Sequence, residues 1–346
     1  MKKSKIKYIL LLTIILIGIF SICGFAENFH WKCIIPANSS YEINEWRALS
    51  KEIEEVTEGQ MVIDIYVPGE HPYKLADTLK AISTGEIEIA GIIPGYVSGI
   101  EPGLSVLDLP LFIPEGSFEI YRELYTELRK GYFKDLLEKW NAREIFSAFM
   151  SGQNYYLKDG WIENSESLKG KKMRSWSTEV SNFIKLMGGV PVTLAFNENY
   201  TALQTGLLDG TTTNFNSAYN AKFFDICKHV VMAQVSFSTD IYVVNIDAWN
   251  KLPADLQETL TNIFESRRDD WETANFKRTG EVLQLAFVEY GIEAKPIPKE
   301  YRKELTEGAY EAIWKPWLKR AGESAEEAFE QIVEQIQELG YEVPIK

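Results

Sequence analysis

Metal-binding and disulfide-forming residues are scarce in this 346-residue sequence, which has three cysteines and three histidines. His30, His71 and His229 stand alone, and Cys33 and Cys227 are far apart, so no spacing matches a zinc site. Two buried free thiols are the expectation for Cys33 and Cys227. A disulfide between them, in an oxidising compartment, is the alternative. Also missing are the G-x-x-x-x-G-K-[ST] phosphate loop, G-x-G-x-x-G, H-E-x-x-H and the G-x-S-x-G elbow. Positive charge is short: 36 Lys and Arg face 50 Asp and Glu, a net charge of −14. That argues against a nucleic-acid partner, which needs a basic face to displace phosphate counterions. No cofactor is expected. Beyond residue 26, no stretch is long and apolar enough to span a bilayer.

The rest of the composition is that of a folded chain, 45% hydrophobic and 25% charged. The length suggests two lobes. Aromatic residues make up 13%, which serves cores and also apolar ligand pockets.

The first 26 residues read as an export signal. Lys2, Lys3, Lys5 and Lys7 precede an uncharged apolar run from Tyr8 to about Phe20, and Gly24 and Ala26 fit a cut before Glu27. An uncleaved anchor is the rival reading of the same run. A lipoprotein cut at Cys23 is disfavoured by bulky Ile22. Cleavage removes four lysines and no acid, moving the net charge from −14 to −18. The expected location is outside the cytoplasm, in the periplasm or at the outer face of the cytoplasmic membrane.

Strands and helices alternate. Trp31–Ile35 reads as a strand, and Ser39-Ser40 opens a helix over Tyr41–Thr57 with apolar Ile43, Trp46, Leu49, Ile53 and Val56. Met61–Val67, a helix over 74–83, and Ile87–Ile93 complete a parallel α/β unit, to which Ile145–Met150 adds another buried strand. A second unit begins near Ser151, with strands at 172–176, 192–196 and 208–213 and helices at 179–187 and 198–205. Val235–Val244, broken around Asp240, reads as a strand returning to the first lobe. The expected lobes are 27–150 plus about 240–253, and 151–239, with the cleft between strand ends. A long helix over 254–290 backs both. C-terminal helices fill 291–346, the last opened by a capping box of Ser324 and Glu327 with a stripe of Phe329, Ile332, Val333, Ile336 and Leu339. The fold class is therefore α/β, a two-lobed clamp with crossing hinge strands.

The informative stretch runs from Leu168 to Phe224. Leu168-Lys169-Gly170-Lys171-Lys172-Met173-Arg174 precedes Pro191-Val192-Thr193-Leu194-Ala195-Phe196. Glu198-Asn199-Tyr200-Thr201-Ala202-Leu203-Gln204-Thr205-Gly206-Leu207-Leu208-Asp209-Gly210 follows, then Lys222-Phe223-Phe224. This closely resembles the DctP-type solute-binding proteins of tripartite ATP-independent periplasmic (TRAP) transporters, periplasmic-binding-protein-like clamps. Thr57-Glu58-Gly59, Leu109-Pro110-Leu111-Phe112 and Trp249-Asn250-Lys251-Leu252-Pro253 extend the resemblance over most of the chain.

The resemblance implies a binding protein, not an enzyme. It would capture a small organic acid and hand it to a sodium-coupled membrane permease of a small and a large subunit. Arg174 falls on the family arginine that pairs with the ligand carboxylate, a role suited to a planar two-bond fork. Phe196 falls on the aromatic that packs against the ligand. Asn154 stands where several relatives carry a second arginine, and Ile93 where some sugar-acid binders carry a carboxylate. Thr213 stands where many have asparagine, with Asn214 one step along. Trp176 replaces a frequent proline, and Tyr73 and Tyr96 lie in first-lobe loops facing the cleft. Fewer charged and polar positions favour a monocarboxylate over sialic acid or a dicarboxylate. An exported carbohydrate-active hydrolase and a sensory module feeding a membrane kinase are the rival functions.

Overall fold

The computed structural model describes residues 28–36 and 40–345. The leader, its cleavage site and Ser39 lie outside the described residues. Eleven strands are seen among the described residues, beginning with β1 (Phe29–Ile34), β2 (Met61–Tyr66), β3 (Ile89–Ile92), β4 (Ala142–Met150) and β5 (Asn154–Leu157). They continue with β6 (Lys172–Ser175), β7 (Val190–Thr193), β8 (Gly210–Thr213), β9 (His229–Met232), β10 (Ser238–Asn245) and β11 (Glu293–Pro296). Two sheets result, one ordered β2-β1-β3-β10-β4 and the other β11-β9-β5-β8-β6-β7.

In the first sheet β1 runs parallel to β2 and β3, while β10 lies antiparallel between β3 and β4. In the second, β6 runs parallel to β7 and β8. The chain crosses between sheets directly from β4 to β5 and from β9 to β10, and once more between β10 and β11 by way of a long helix. The two direct crossings are stitched together where the Gln153 N–H donates to the Ser236 carbonyl at 2.9 Å. These two segments are the crossing strands of a two-lobed α/β clamp.

β10 corrects an expectation. The strand is unbroken from Ser238 to Asn245, and Asp240 lies inside it, its backbone paired opposite Ala148. A carboxylate sits in this strand because its side chain opens onto the cleft. The capping box at Ser324 does not form either: the last helix starts one residue earlier, at Glu323, after Gly322 with φ of +88°. β11 carried no signal in the sequence. Its four residues, Glu-Ala-Lys-Pro, form an edge strand beside β9, where Pro296 does no harm.

The long helix runs from Ala254 to Val288 without interruption at Gly280, about 52 Å at 1.5 Å per residue. Leu256, Leu260, Phe264 and Trp271 pack with Phe146 and Tyr242 of the first sheet and Trp46 of the helix Ser40–Val56. Val282 and Ala286 pack with Tyr156 of the second sheet and with Phe215 and Phe224 of the short helical segments after β8. Between them sits buried Asn275. Its amide donates to the Phe149 carbonyl at 2.6 Å, and its Oδ1 accepts from Asn216 at 2.7 Å. A third core joins both lobes beneath the C-terminal helices, where Phe112 stacks on Phe329 and the Trp314 indole N–H donates to the Pro110 carbonyl. Cys33 and Cys227 are buried free thiols.

Asn275 ties the end of β4 to the second lobe. In Asn275→Leu the Phe149 carbonyl and the Asn216 amide each lose a partner, at about 1–3 kcal/mol per buried group. Thermal unfolding without ligand is expected several degrees below wild type. An unchanged melting temperature would show that water replaces both bonds.

Candidate functional site

A cavity of about 250 Å³ lies between the lobes. It opens where the parallel strands end, the position at which α/β sheets bind ligands. From the second lobe come Arg174 on β6, Phe196 beyond β7, and Thr213 and Asn214 at the end of β8. From the first come Pro36 beyond β1, Ile93 and Tyr96 beyond β3, and Met150 at the end of β4. The antiparallel β10 contributes its start, Ser238 and Asp240.

Arg174 is 2% exposed. On β6 its neighbour Met173 turns into the core, so strand alternation sends the guanidinium to the cleft. Its Nε donates to the Leu194 carbonyl at 3.2 Å, and its Nη2 to the Tyr96 hydroxyl, on the opposite lobe, at 2.9 Å. Two rings hold the guanidinium, with centroids at 4.7 Å for Trp176 and 5.6 Å for Phe196. Trp176 crowds the first lobe: a Cβ on Gly95 would lie 2.9 Å from its indole nitrogen. The turn carrying Phe196 is closed by Glu198, whose carboxylate accepts from the Ala195 N–H at 2.9 Å. Among the described residues no acid forms an ion pair with Arg174, so the remaining N–H groups are available to an anion.

The other residues singled out in the sequence divide. Trp176, Tyr96, Phe196, Thr213 and Asn214 line the cavity with Arg174. The Asn214 side chain also caps the following helix, accepting from the Ser217 N–H at 2.9 Å. Asn154 is buried outside the lining. Its amide donates to the Gly152 carbonyl and accepts from the Gln234 N–H, so it braces the crossing segments, while its neighbour Gln153 reaches the cavity. Tyr73 lies away from the cavity, its hydroxyl donating to Glu86 at 2.9 Å.

Residues not singled out include Glu42, Tyr200, Ser217, Asn220 and Asp240. Glu42 reads as one more acid on a solvated helix. Asp240 had a signal, a lone carboxylate within an apolar strand. Burial, reinforced by the nearby charges of Glu42 and Asp108, pushes its pKa well above the usual carboxylate range. Asp108 is pushed up likewise by burial, opposed by a hydrogen bond from the Gly95 N–H. Among the described residues no group of three or more His, Cys, Asp or Glu is arranged to hold a metal ion.

An acid with a raised folded pKa takes up a proton on folding. Stability therefore falls as pH rises from the unfolded value, about 3.9, toward the folded one. Asp240→Asn removes that penalty. Without ligand, its melting temperature is expected a few degrees above wild type at pH 8, with the gap closing toward pH 4. Coincident curves at pH 8 would mean that Asp240 is solvated.

Comparison with known proteins places this geometry. The family model described as bacterial extracellular solute-binding protein, family 7, matches residues 34–321. The C4-dicarboxylate-binding periplasmic protein DctP of Rhodobacter capsulatus is 27% identical over 62% of this chain and 64% of its own length. A solute-binding protein of Chromohalobacter salexigens is 25% identical over 65% of this chain and 68% of its own. Among solved structures, the Desulfovibrio salexigens TRAP periplasmic solute-binding protein with bound orotic acid superposes with a TM-score of 0.80. It covers 90% of this chain and all of its own at 19% identity. DctP7 of Bordetella pertussis, a receptor binding pyroglutamic acid, gives 0.77 over 87% of this chain and 99% of its own at 20% identity. At such identities the structures show a shared two-lobed fold, and the family model adds the lineage. The chain belongs to the DctP family, family 7 of the bacterial extracellular solute-binding proteins.

Proposed function

We propose that this protein captures a small organic acid bearing a single carboxylate and delivers it, outside the cytoplasmic membrane, to a sodium-coupled TRAP permease. The observation that carries this reading is the buried guanidinium of Arg174, clasped by two rings yet unpaired with any acid among the described residues. A buried cation of this kind calls for an anion, and a carboxylate matches its fork. The cavity also supports one carboxylate rather than two: among the described residues lining it Arg174 is the one cation, and a second carboxylate would find no cationic partner. Thr213, Asn214 and Gln153 offer neutral hydrogen bonds, and Phe196, Trp176 and Tyr200 offer flat apolar walls. The volume is below the 300–1,000 Å³ range typical of ligand pockets, which favours a small acid.

Pyroglutamic and orotic acid, named for two structural neighbours, carry one carboxylate each and fit this reading as analogies, whereas the Rhodobacter protein is named for a C4-dicarboxylate and differs from it. Export is supported by the basic and apolar leader and by the family, and no helix among the described residues is long and apolar enough to cross a membrane.

Arg174→Ala should weaken binding of a monocarboxylate by roughly 100-fold or more, because truncating one partner of a buried ion pair costs about 3–5 kcal/mol. Arg174→Lys should recover only part, since an ammonium lacks the fork. Calorimetry on folded variants measures this. An Arg174→Ala dissociation constant within threefold of wild type would place the anchor elsewhere. Wild type should bind monocarboxylates more tightly than matched dicarboxylates.

Saturating ligand should also shrink the radius of gyration in solution scattering and raise the melting temperature, as hinge closure around a ligand requires. Tight binding with neither change would rule out a closing clamp.

A further inference from the structure

We propose that the ligand carries an N–H donor in addition to its carboxylate, and that Asp240 receives it. The proposal rests on the reading of Arg174 as the carboxylate anchor and adds the recognition of the ligand's other end.

Asp240 is 5% exposed, lines the same cavity as Arg174, and receives no hydrogen bond from any described residue. The fold does not need a carboxylate there. β10 is held by its backbone ladder, and its neighbours Ile241, Val243 and Val244 are apolar core. A valine at position 240 would continue the strand without burying an unpaired acid, one of the more expensive things a fold can hold. A bound ligand that donates to Asp240 removes that penalty in the loaded protein.

The surroundings select the donor. Glu42 lines the cavity and, with Asp108, adds negative charge around Asp240. A second carboxylate placed there adds to the like charge that already works against an ionised Asp240, whereas a donor relieves it. A hydroxyl donates one hydrogen but also presents lone pairs to the acids. An amide N–H or an ammonium presents positive charge without opposing lone pairs, so it draws Asp240 back toward its ionised form, to which hydrogen bonds are the stronger kind. A lactam or amide acid and an amino acid both supply this chemistry beside a carboxylate.

Matched ligand pairs test the proposal by calorimetry on the chain beginning at Glu27. For the amide source the pair is pyroglutamate and its lactone counterpart, in which ring oxygen replaces N–H. For the ammonium source it is proline and tetrahydrofuran-2-carboxylate. In at least one pair the N–H member is expected to bind tenfold or more tightly than its oxygen counterpart, about 1.4 kcal/mol. Asp240→Asn should reduce that ratio to threefold or less, because its amide can turn either an acceptor or a donor to the ligand. Arg174→Ala should weaken both members alike. The pair that discriminates identifies the source. Equal binding within both pairs, a ratio that survives Asp240→Asn, or no binding by any of the four overturns the N–H assignment. Equal binding with Arg174 dependence intact leaves the carboxylate anchor standing. Binding that ignores Arg174→Ala removes the anchor instead.

Discussion

A guanidinium keeps its proton at every pH a protein meets, so a buried arginine must be compensated by its surroundings. Arg174 is compensated only in part: a carbonyl, a hydroxyl and two ring faces hold its plane and leave N–H groups toward the cavity. The rest of the cleft is arranged around that plane. β6 ends where it does so that Met173 enters the core and Arg174 the cleft. Gly95 lacks a side chain where Trp176 approaches, and Glu198 pins the turn that lays Phe196 on the guanidinium. The hydrogen bond from Arg174 to Tyr96 also joins the two lobes through the same group that turns its other N–H groups to the cavity.

Charge is distributed unevenly across this cleft. One cation faces Glu42 and Asp240 on the first lobe, with Asp108 behind them. The two walls of the cavity therefore differ in chemistry, a fixed cation on one and acids on the other. That polarity sets this site apart from a uniformly basic pocket, which would take any anion in any direction.

How much of this was legible in the sequence depended on how far apart the cooperating residues lie. Arg174, Phe196, Thr213 and Asn214 fall within one stretch of repeated strand-turn-helix units, and the block around Ala202-Leu203-Gln204-Thr205-Gly206 marked it. The long helix was readable because Pro253 and Gly291 bound a run free of proline. Asp240 and Glu42 reach the cavity from segments about 200 residues apart; Glu42 looks like any helix-surface acid, and the lone carboxylate at Asp240 reads as a strand break. Asn154 and Tyr73 show the reverse. Their positions suggested the cleft, but hydrogen bonds to Gly152, Gln234 and Glu86 hold their side chains elsewhere. Side-chain direction follows from partners that only the folded chain brings together. The short edge strand β11 illustrates the same limit, since its pairing with β9 defines it and its composition does not.

The unbroken helix from Ala254 to Val288 has a mechanical consequence. It is embedded in one core at each end and fastened by Asn275 to the end of β4 and to Asn216 at its middle. Lobes that share such a rod cannot slide apart. Rotation of one lobe against the other would have to flex the rod or release it from one core. Helices of this length bend gently without breaking hydrogen bonds. A gently bending rod of this kind would act as a leaf spring between the two sheets, resisting their separation while leaving rotation open.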